Sequence, residues 1–240
     1  MPGYILHLTA AKMALEKLQK IDMGFKDSRI QNDFLAGSLL PDTVNDNAQK
    51  NQSHFRNPMF HGNMVEYPDL QLFLKKYRSL LKDVSCLGYY FHLYVDRMFF
   101  KEYLPQIVVF LDQNHQETLL RENVQWAYLK RTGQMIPIGD FFSGIWYYGD
   151  YTKMNTYLVE QYQLPVTLDI PAVDPGIEEV DYRDLKKVLM ELQGYLDVSA
   201  DKVKEVKVFH VEHLLSYLEK VAEKFVVELG LLWNTGSETS

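Results

Sequence analysis

The segment from Ser85 to Tyr103 limits most strongly what this chain can fold into. It contains the run Leu-Gly-Tyr-Tyr-Phe-His-Leu-Tyr-Val-Asp-Arg-Met-Phe-Phe, which predicts a helix that is apolar on most of its circumference and therefore central in its domain. His92 and Asp96 lie four residues apart on this helix, so their Cβ atoms share one face at about 5–6 Å. Gly88, one turn earlier on that face, leaves room for another group to approach.

Helical periodicity also dominates the rest of the chain. An apolar stripe over residues 5–21 predicts an amphipathic helix with His7 on its buried face. Ser28 is the predicted N-cap of a second helix, and Pro41 ends that helix so that Asp42 follows its C-terminus. Further helices are expected over residues 68–81, 118–131, 151–162, 181–196 and 201–232.

The other segments are predicted to be loops. Residues 43–67 are polar and contain His54, and residues 164–180 are rich in proline and suit an extended crossover. No segment predicts a convincing pair of strands. We therefore expect about seven to nine helices in a single all-α domain over residues 1–233, followed by a flexible tail over residues 234–240.

Length, charge and cysteine usage exclude several classes of protein. The chain has 240 residues, which suits one large domain, and its net charge of -7 gives no electrostatic footprint for nucleic acid. An anionic substrate would need a local cation. The only cysteine, Cys86, allows neither an intrachain disulfide nor a thiolate zinc cluster. No signal peptide and no apolar run of about 18 residues is found, so a cytoplasmic protein without a transmembrane segment is expected.

The pair His92 and Asp96 suits a metal ion better than the alternative of a plain ion pair. Histidine and carboxylate ligands bind borderline divalent ions when cysteine is absent. A buried aspartate needs a partner, and Arg97 points about 100° away around the helix. Alone, His7 would be a core histidine, Asp42 a turn residue and His54 an ordinary loop residue, so their joint occurrence is what matters.

Three ordered segments, preceded by His7, carry a resemblance to a known family. They are Phe34-Leu-Ala-Gly-Ser-Leu-Leu-Pro-Asp42, Ser53-His54-Phe55 and Gly88-Tyr-Tyr-Phe-His92-Leu-Tyr-Val-Asp96. Together they resemble the zinc-dependent phospholipase C family, whose all-helical fold is shared by single-strand nucleases. The resemblance covers residues 4–100 and implies a phospholipase C/nuclease-like helical bundle.

The resemblance also implies a ligand set for zinc. Asp42, His54, His92 and Asp96 would hold one ion, and Asp96 would bridge to a second ion that His7 also binds. In secreted members of the family the mature N-terminus completes the second site. Nothing here suggests cleavage of a signal, so that site is expected to be incomplete or to be finished by water or another side chain.

A third metal of the family uses a histidine after the helical aspartate and a later His-x-x-x-Glu, and this sequence departs from that pattern. Glu102 stands in the region of the former, and His210 and His213 lie on the predicted last helix without a glutamate four residues later. These three residues are candidate additional ligands, with packing as the alternative for the histidines. One to three zinc ions are therefore expected.

The function implied is a zinc-dependent phosphoester hydrolase, a phosphodiesterase or phospholipase C-like enzyme acting on a small-molecule or lipid-headgroup substrate. Asp42 is the candidate carboxylate that orients or deprotonates the attacking water, and Trp146 and Tyr148 are candidates for lining the substrate cleft, with core packing as the alternative.

A second hypothesis is a non-catalytic helical binding or regulatory protein with a structural or vestigial metal site. An enzyme needs an open coordination position and a cleft, whereas a structural site is closed. A His-Asp-type phosphohydrolase is disfavoured, since that class has a His-Asp dipeptide and no histidine here is followed directly by an aspartate.

Overall fold

The computed structural model describes residues 3–44 and 46–234 and shows an all-α fold with a small sheet. The described residues form ten α-helices: α1 (Tyr4–Ile21), α2 (Ser28–Gly37), α3 (Asn47–Ser53), α4 (Leu70–Tyr77), α5 (Val84–Met98), α6 (Leu104–Ile107), α7 (Ile138–Phe141), α8 (Tyr147–Tyr162), α9 (Leu185–Glu191) and α10 (Val211–Asn234). Three strands complete the fold: β1 (Val108–Leu111), β2 (Trp126–Leu129) and β3 (Met135–Pro137).

Helix α5 is buried along nearly its whole length, as its apolar circumference predicts. It packs mainly against α2, while α1 packs against α10 and α8. At two positions α2 and α5 meet backbone to backbone. A Cβ atom on Gly88 would lie 2.2 Å from the carbonyl oxygen of Phe34, and one on Gly37 would lie 2.2 Å from that of Ser85. The expected close approach at Gly88 is therefore confirmed, and α2 is the element that approaches.

The two ends of α2 are well defined, and the turn that follows its C-terminus places Asp42 against α5. The N-cap is Asp27 and not Ser28, because the Asp27 carboxylate accepts hydrogen bonds from the backbone N–H groups of Arg29 and Ile30. The helix ends at Gly37, and the chain continues into a buried 3₁₀ turn over Leu40–Thr43. This turn contains Asp42, so the carboxylate is held by regular backbone and not by a loose loop.

The expected absence of a strand pair is wrong, and so is the helix expected over residues 118–131. Strands β1, β2 and β3 form an antiparallel sheet in that order, with Val108 opposite Leu129 and Ala127 opposite Ile136. Alternate residues of β2 are buried, which is the period of a half-buried strand and not of a helix. Strands of three or four residues are too short for this alternation to stand out in the sequence.

Several helix boundaries also differ from the predictions. The predicted loop over residues 43–67 contains α3 and a 3₁₀ turn over Pro58–Phe60. The predicted helix over residues 181–196 is interrupted, with α9 between 3₁₀ turns. The last helix begins at Val211, because Ala200–Glu205 forms a separate 3₁₀ segment. The predicted tail falls outside the described residues except for position 234.

One hydrophobic cluster runs from α1 through α5 to α10 and includes side chains of the sheet. Within the described ranges, no helix combines the length and the apolar character that crossing a membrane requires.

Candidate metal centre

Five predicted ligands from four separate segments meet in the interior. His7 comes from α1, Asp42 from the 3₁₀ turn after α2, and His54 from the residue that ends α3. His92 and Asp96 come from successive turns of α5. All five side chains are buried, and Asp42 is the most exposed of them at 7%. Only the pair on α5 is neighbouring in sequence, so tertiary packing assembles the rest.

The donor atoms of the cluster lie at distances typical of ligands that share an ion. The Nε2 atoms of His54 and His92 are 3.3 Å apart, and Asp42 Oδ1 is 3.3 Å from His54 Nε2. Asp96 Oδ2 lies 3.7 Å from His54 Nε2 and 3.8 Å from His92 Nε2. Ligands held 2.0–2.1 Å from a tetrahedral zinc are separated by about 3.3–3.4 Å. The observed separations are close to that value.

The same atoms form two overlapping triplets. The donor atoms of His54, His92 and Asp96 lie within 4.8 Å of one another, and so do those of His7, Asp42 and His92. Asp96 Oδ1 is 3.3 Å from His7 Nε2, so the two oxygens of this carboxylate face different histidines. His92 is therefore common to the triplets, and Asp96 is positioned between His7 and His54. The second triplet groups Asp42 with His7, but the 3.3 Å contacts of Asp42 with His54 and of Asp96 with His7 agree with the ligand division that the resemblance implied.

Hydrogen bonds outside the cluster fix which nitrogen of each imidazole carries the proton. His92 Nδ1 lies 2.8 Å from the carbonyl oxygen of Ser38, and His54 Nδ1 lies 3.1 Å from that of Lys50. A carbonyl oxygen only accepts, so each Nδ1 carries the proton and donates it. The Nε2 lone pairs of both rings then face the interior of the cluster. This is the arrangement in which histidine binds a metal through Nε2.

The electrostatics keep the histidine neutral and the carboxylates charged. Burial lowers the pKa of His92 to about 3, and the neighbouring His7 acts in the same direction. Burial alone would raise the pKa of Asp42, but the contact with His54 holds it below its ordinary value. The pKa of Asp96 is likewise lowered against the effect of burial, chiefly by His7. At neutral pH the cluster offers a neutral His92 imidazole and ionised carboxylates, the forms that bind metal.

Buried polar atoms without a hydrogen-bond partner are concentrated in the cluster and indicate that a metal ion fits there. Five buried side-chain atoms in the described residues lack a hydrogen bond, and four of them belong to this cluster: Nδ1 and Nε2 of His7, Oδ1 of Asp42 and Oδ1 of Asp96. Such atoms are costly to bury without a partner. A divalent cation satisfies carboxylate oxygens and imidazole nitrogens at the same time. The donor set of nitrogen and oxygen suits zinc among the common ions.

A cleft of about 490 Å³ reaches the cluster at Asp42. Tyr148 lines it, as predicted, but Trp146 does not, and its ring instead contacts Lys207 with the Nζ atom 4.7 Å from the ring centroid. The cleft is also lined by two cations that sequence reasoning missed, Lys50 and Arg56. The available signal was their spacing, four residues before and two residues after His54.

The candidate ligands for a third metal do not join the cluster. Glu102 lies 3.4 Å from the hydroxyl of Tyr217 and 3.8 Å from Lys224 Nζ. His210 precedes α10, and its Nδ1 accepts a hydrogen bond from the backbone N–H of His213, so it acts as a helix cap. His213 is exposed beside Tyr103. None of the three residues belongs to either metal-competent triplet in the described part of the chain.

No family model matches this chain, and no curated protein or solved structure matches it. The likeness to the zinc-dependent phospholipase C family therefore stays a prediction based on residues 4–100.

Proposed function

We propose that this protein is a zinc-dependent phosphoester hydrolase that acts on small phosphodiesters. The observation that supports the proposal most directly is the position of Asp42. Its carboxylate belongs to the buried His-Asp cluster and also lines the open cleft. A closed structural site has no such route to solvent, whereas a catalytic site needs one.

The ligands divide according to their contacts. His54, His92 and Asp96 would hold one ion, with Asp42 beside His54 as the further ligand. His7 would hold a second ion together with the free oxygen of Asp96. Zinc bound there would polarise a phosphoryl oxygen and lower the pKa of water. His7 and His92 stack with ring centroids 3.7 Å apart, which fixes the direction of both rings.

The protein side chains would orient the reactants and take up the proton. In this proposal the Asp42 carboxylate, whose Oδ1 faces His54 and the ion, lines the cleft, where it orients the attacking water and accepts its proton. The apolar side chains of α1 and α5 exclude bulk water from the rest of the cluster. Tyr148 and Tyr151 line the cleft, and Tyr148 offers its ring and hydroxyl to the alcohol part of a substrate, whereas the Tyr151 hydroxyl donates to that of Tyr147.

The test is metal content together with hydrolysis of bis(p-nitrophenyl) phosphate. We expect the purified chain to hold about two zinc equivalents, the number in two-metal hydrolase sites. His92→Ala should lose zinc and activity together, and zinc added after chelation should restore the activity of the unaltered chain. His61→Ala is the control, because His61 is an exposed histidine outside the cluster.

Two results would contradict the proposal in different ways. One tightly held zinc without hydrolysis of any phosphodiester would favour the non-catalytic binding protein with a structural site. Absence of metal from the unaltered chain, even after incubation with zinc, would remove the basis for a hydrolase.

A further inference from the structure

The cleft that reaches Asp42 has the opposite charge to the chain as a whole. The chain carries a net charge of -7. Among the described residues that line the cleft, Asp42 is the only carboxylate, while Lys50 and Arg56 are cations. If Asp42 binds zinc, its charge is neutralised there and the cations dominate the field in the cleft. An anionic ligand is therefore favoured over a cationic one.

Lys50 is free to bind an anion. It lies on α3, one turn before His54, and its side chain is half-buried. Its backbone carbonyl oxygen accepts the hydrogen bond from His54 Nδ1, so the residue is tied to the metal cluster through its main chain. No carboxylate of the described residues forms an ion pair with its ammonium group. An unpaired half-buried ammonium gains most from an anionic ligand.

Arg56 presents a free edge of its guanidinium. Its Nη1 atom donates a hydrogen bond to Asn51 Oδ1 at 2.9 Å and lies 3.9 Å from Glu66 Oε2. Glu66 also has Arg121 within 3.6 Å, so Arg56 is not its sole cation. Within the described part of the chain, Nε and Nη2 of Arg56 make no hydrogen bond. These two nitrogens form the fork that binds a carboxylate or phosphate through two parallel hydrogen bonds.

The tyrosines of the cleft add hydrogen-bonding groups without adding charge. Burial raises the pKa of Tyr148 and that of Tyr195, so both hydroxyls stay protonated. Tyr195 packs edge-on against Tyr4, and both rings line the same cleft as the two cations. A polar, uncharged part of a substrate, such as a sugar or a short alcohol, suits these walls.

We propose that the cleft selects phosphoesters that carry a second anionic group, and that Lys50 and Arg56 bind this group. The inference rests on the proposed function, because it assigns the substrate class of the same site. The reacting phosphoryl group lies at Asp42, and the second anion, a phosphate or a carboxylate, is bound between the ammonium of Lys50 and the free edge of Arg56. A substrate with a quaternary ammonium group meets two like charges and is disfavoured.

The experiment measures equilibrium binding to the zinc-loaded full chain by titration calorimetry with matched pairs of ligands. Fructose 1,6-bisphosphate and fructose 6-phosphate differ by one phosphate, whereas phosphoserine and phosphoethanolamine differ by one carboxylate. We expect the member with the additional anion to bind about tenfold more tightly in at least one pair, as charge-assisted hydrogen bonds allow. The pair that shows the difference identifies the second anion.

Variants connect the preference to the two cations. In Lys50→Gln and Arg56→Gln the preference should fall to about threefold or less, and in the double variant it should vanish, while affinity for the ligands that lack the second anionic group changes little. Lys12→Gln is the matched control, since Lys12 is also a half-buried helical lysine but lines a different cleft. It should keep the full preference.

The outcomes separate this inference from the proposed function. If the chain hydrolyses bis(p-nitrophenyl) phosphate but binds both members of each pair equally, the inference fails and the proposed function stands. If the double variant still prefers the ligands with the second anionic group, the inference is also overturned. A preference that depends on Lys50 and Arg56, found in a chain without hydrolytic activity, supports the anion site and contradicts the hydrolase.

Discussion

The Nε2 atoms of His54 and His92 face each other at 3.3 Å inside the protein. Both rings donate from Nδ1 to backbone carbonyl groups, so both Nε2 atoms present lone pairs at this distance. Two facing lone pairs repel, and burial lowers the pKa of His92 to about 3, which keeps a bridging proton off that ring at neutral pH. A cation between the rings removes the repulsion. Metal binding should therefore stabilise the fold as well as serve the chemistry.

Zinc is expected to raise the melting temperature of the chain, and chelation is expected to lower it. A ligand at about a thousand times its dissociation constant adds about 4 kcal/mol to the free energy of unfolding. For a domain of this size the rise is on the order of 10 °C. Differential scanning calorimetry with and without zinc measures it. His54→Ala should abolish this rise in melting temperature, whereas His61→Ala should keep it. If the melting temperature of the unaltered chain is the same with and without zinc, the prediction is contradicted.

Ser53→Ala should weaken zinc binding although Ser53 is not a ligand. Its hydroxyl donates to the carbonyl oxygen of Pro41 at 2.9 Å and lies 2.9 Å from His54 Nδ1. It therefore ties the imidazole of His54 to the turn that carries Asp42. Loss of such supporting hydrogen bonds weakens metal binding by about 10- to 100-fold. Competition with a chromogenic chelator measures the affinity.

Ser85→Ala is the matched control for Ser53→Ala, because Ser85 is also buried but lies outside the cluster. It should bind zinc like the unaltered chain. Equal affinities for the two variants would mean that Ser53 does not orient His54.

Glu102→Gln and His213→Gln should leave the zinc content unchanged. Glu102 contacts Tyr217 and Lys224, and His213 is exposed beside Tyr103. Elemental mass spectrometry of each variant gives the zinc equivalents directly. A loss of about one equivalent in either variant, as expected for a ligand of a three-ion cluster, would restore that residue as a ligand of a third ion.

The sequence could predict those parts of the site in which the spacing of residues along one helix places their side chains on the same face. Because His92 and Asp96 lie four residues apart on an apolar helix, their shared buried face follows from helix geometry alone. The helix with His7 follows in the same way from its apolar stripe. Asp42 and His54 were joined to them only through the resemblance. The structure brings all five together, while the bound zinc stays a prediction.

The cleft with its two cations, and likewise the sheet, depends on long-range contacts that local patterns report only weakly. Lys50 and Arg56 reach the cleft because α3 forms inside a segment whose polarity predicts only a loop. The sheet is missed because each strand has three or four residues and is stabilised by pairing with its neighbours. The pairing of β1 with β2 joins residues about twenty positions apart, and single-sequence periodicity does not report such pairing.

Gly88→Ala should destabilise the fold strongly and disturb the metal centre with it. An added Cβ would lie 2.2 Å from the carbonyl oxygen of Phe34 and 2.9 Å from the backbone nitrogen of Ser38, so α2 and α5 would have to separate. The cost should reach about 3 kcal/mol or more, since backbone cannot relax as a side chain does. Ser38 provides the carbonyl group that orients His92, and its displacement should also weaken zinc binding. Urea unfolding and zinc titration measure the two effects.

The matched control is Gly230→Ala, within α10, where an added Cβ meets nothing within 4 Å. Alanine has the higher helix propensity, so this variant should gain up to about 1 kcal/mol in free energy of unfolding. The two substitutions are chemically identical and are expected to act in opposite directions. If Gly88→Ala unfolds at the same urea concentration as the unaltered chain, α2 and α5 do not meet at Gly88 as the structure has them, and the carbonyl that orients His92 must come from elsewhere.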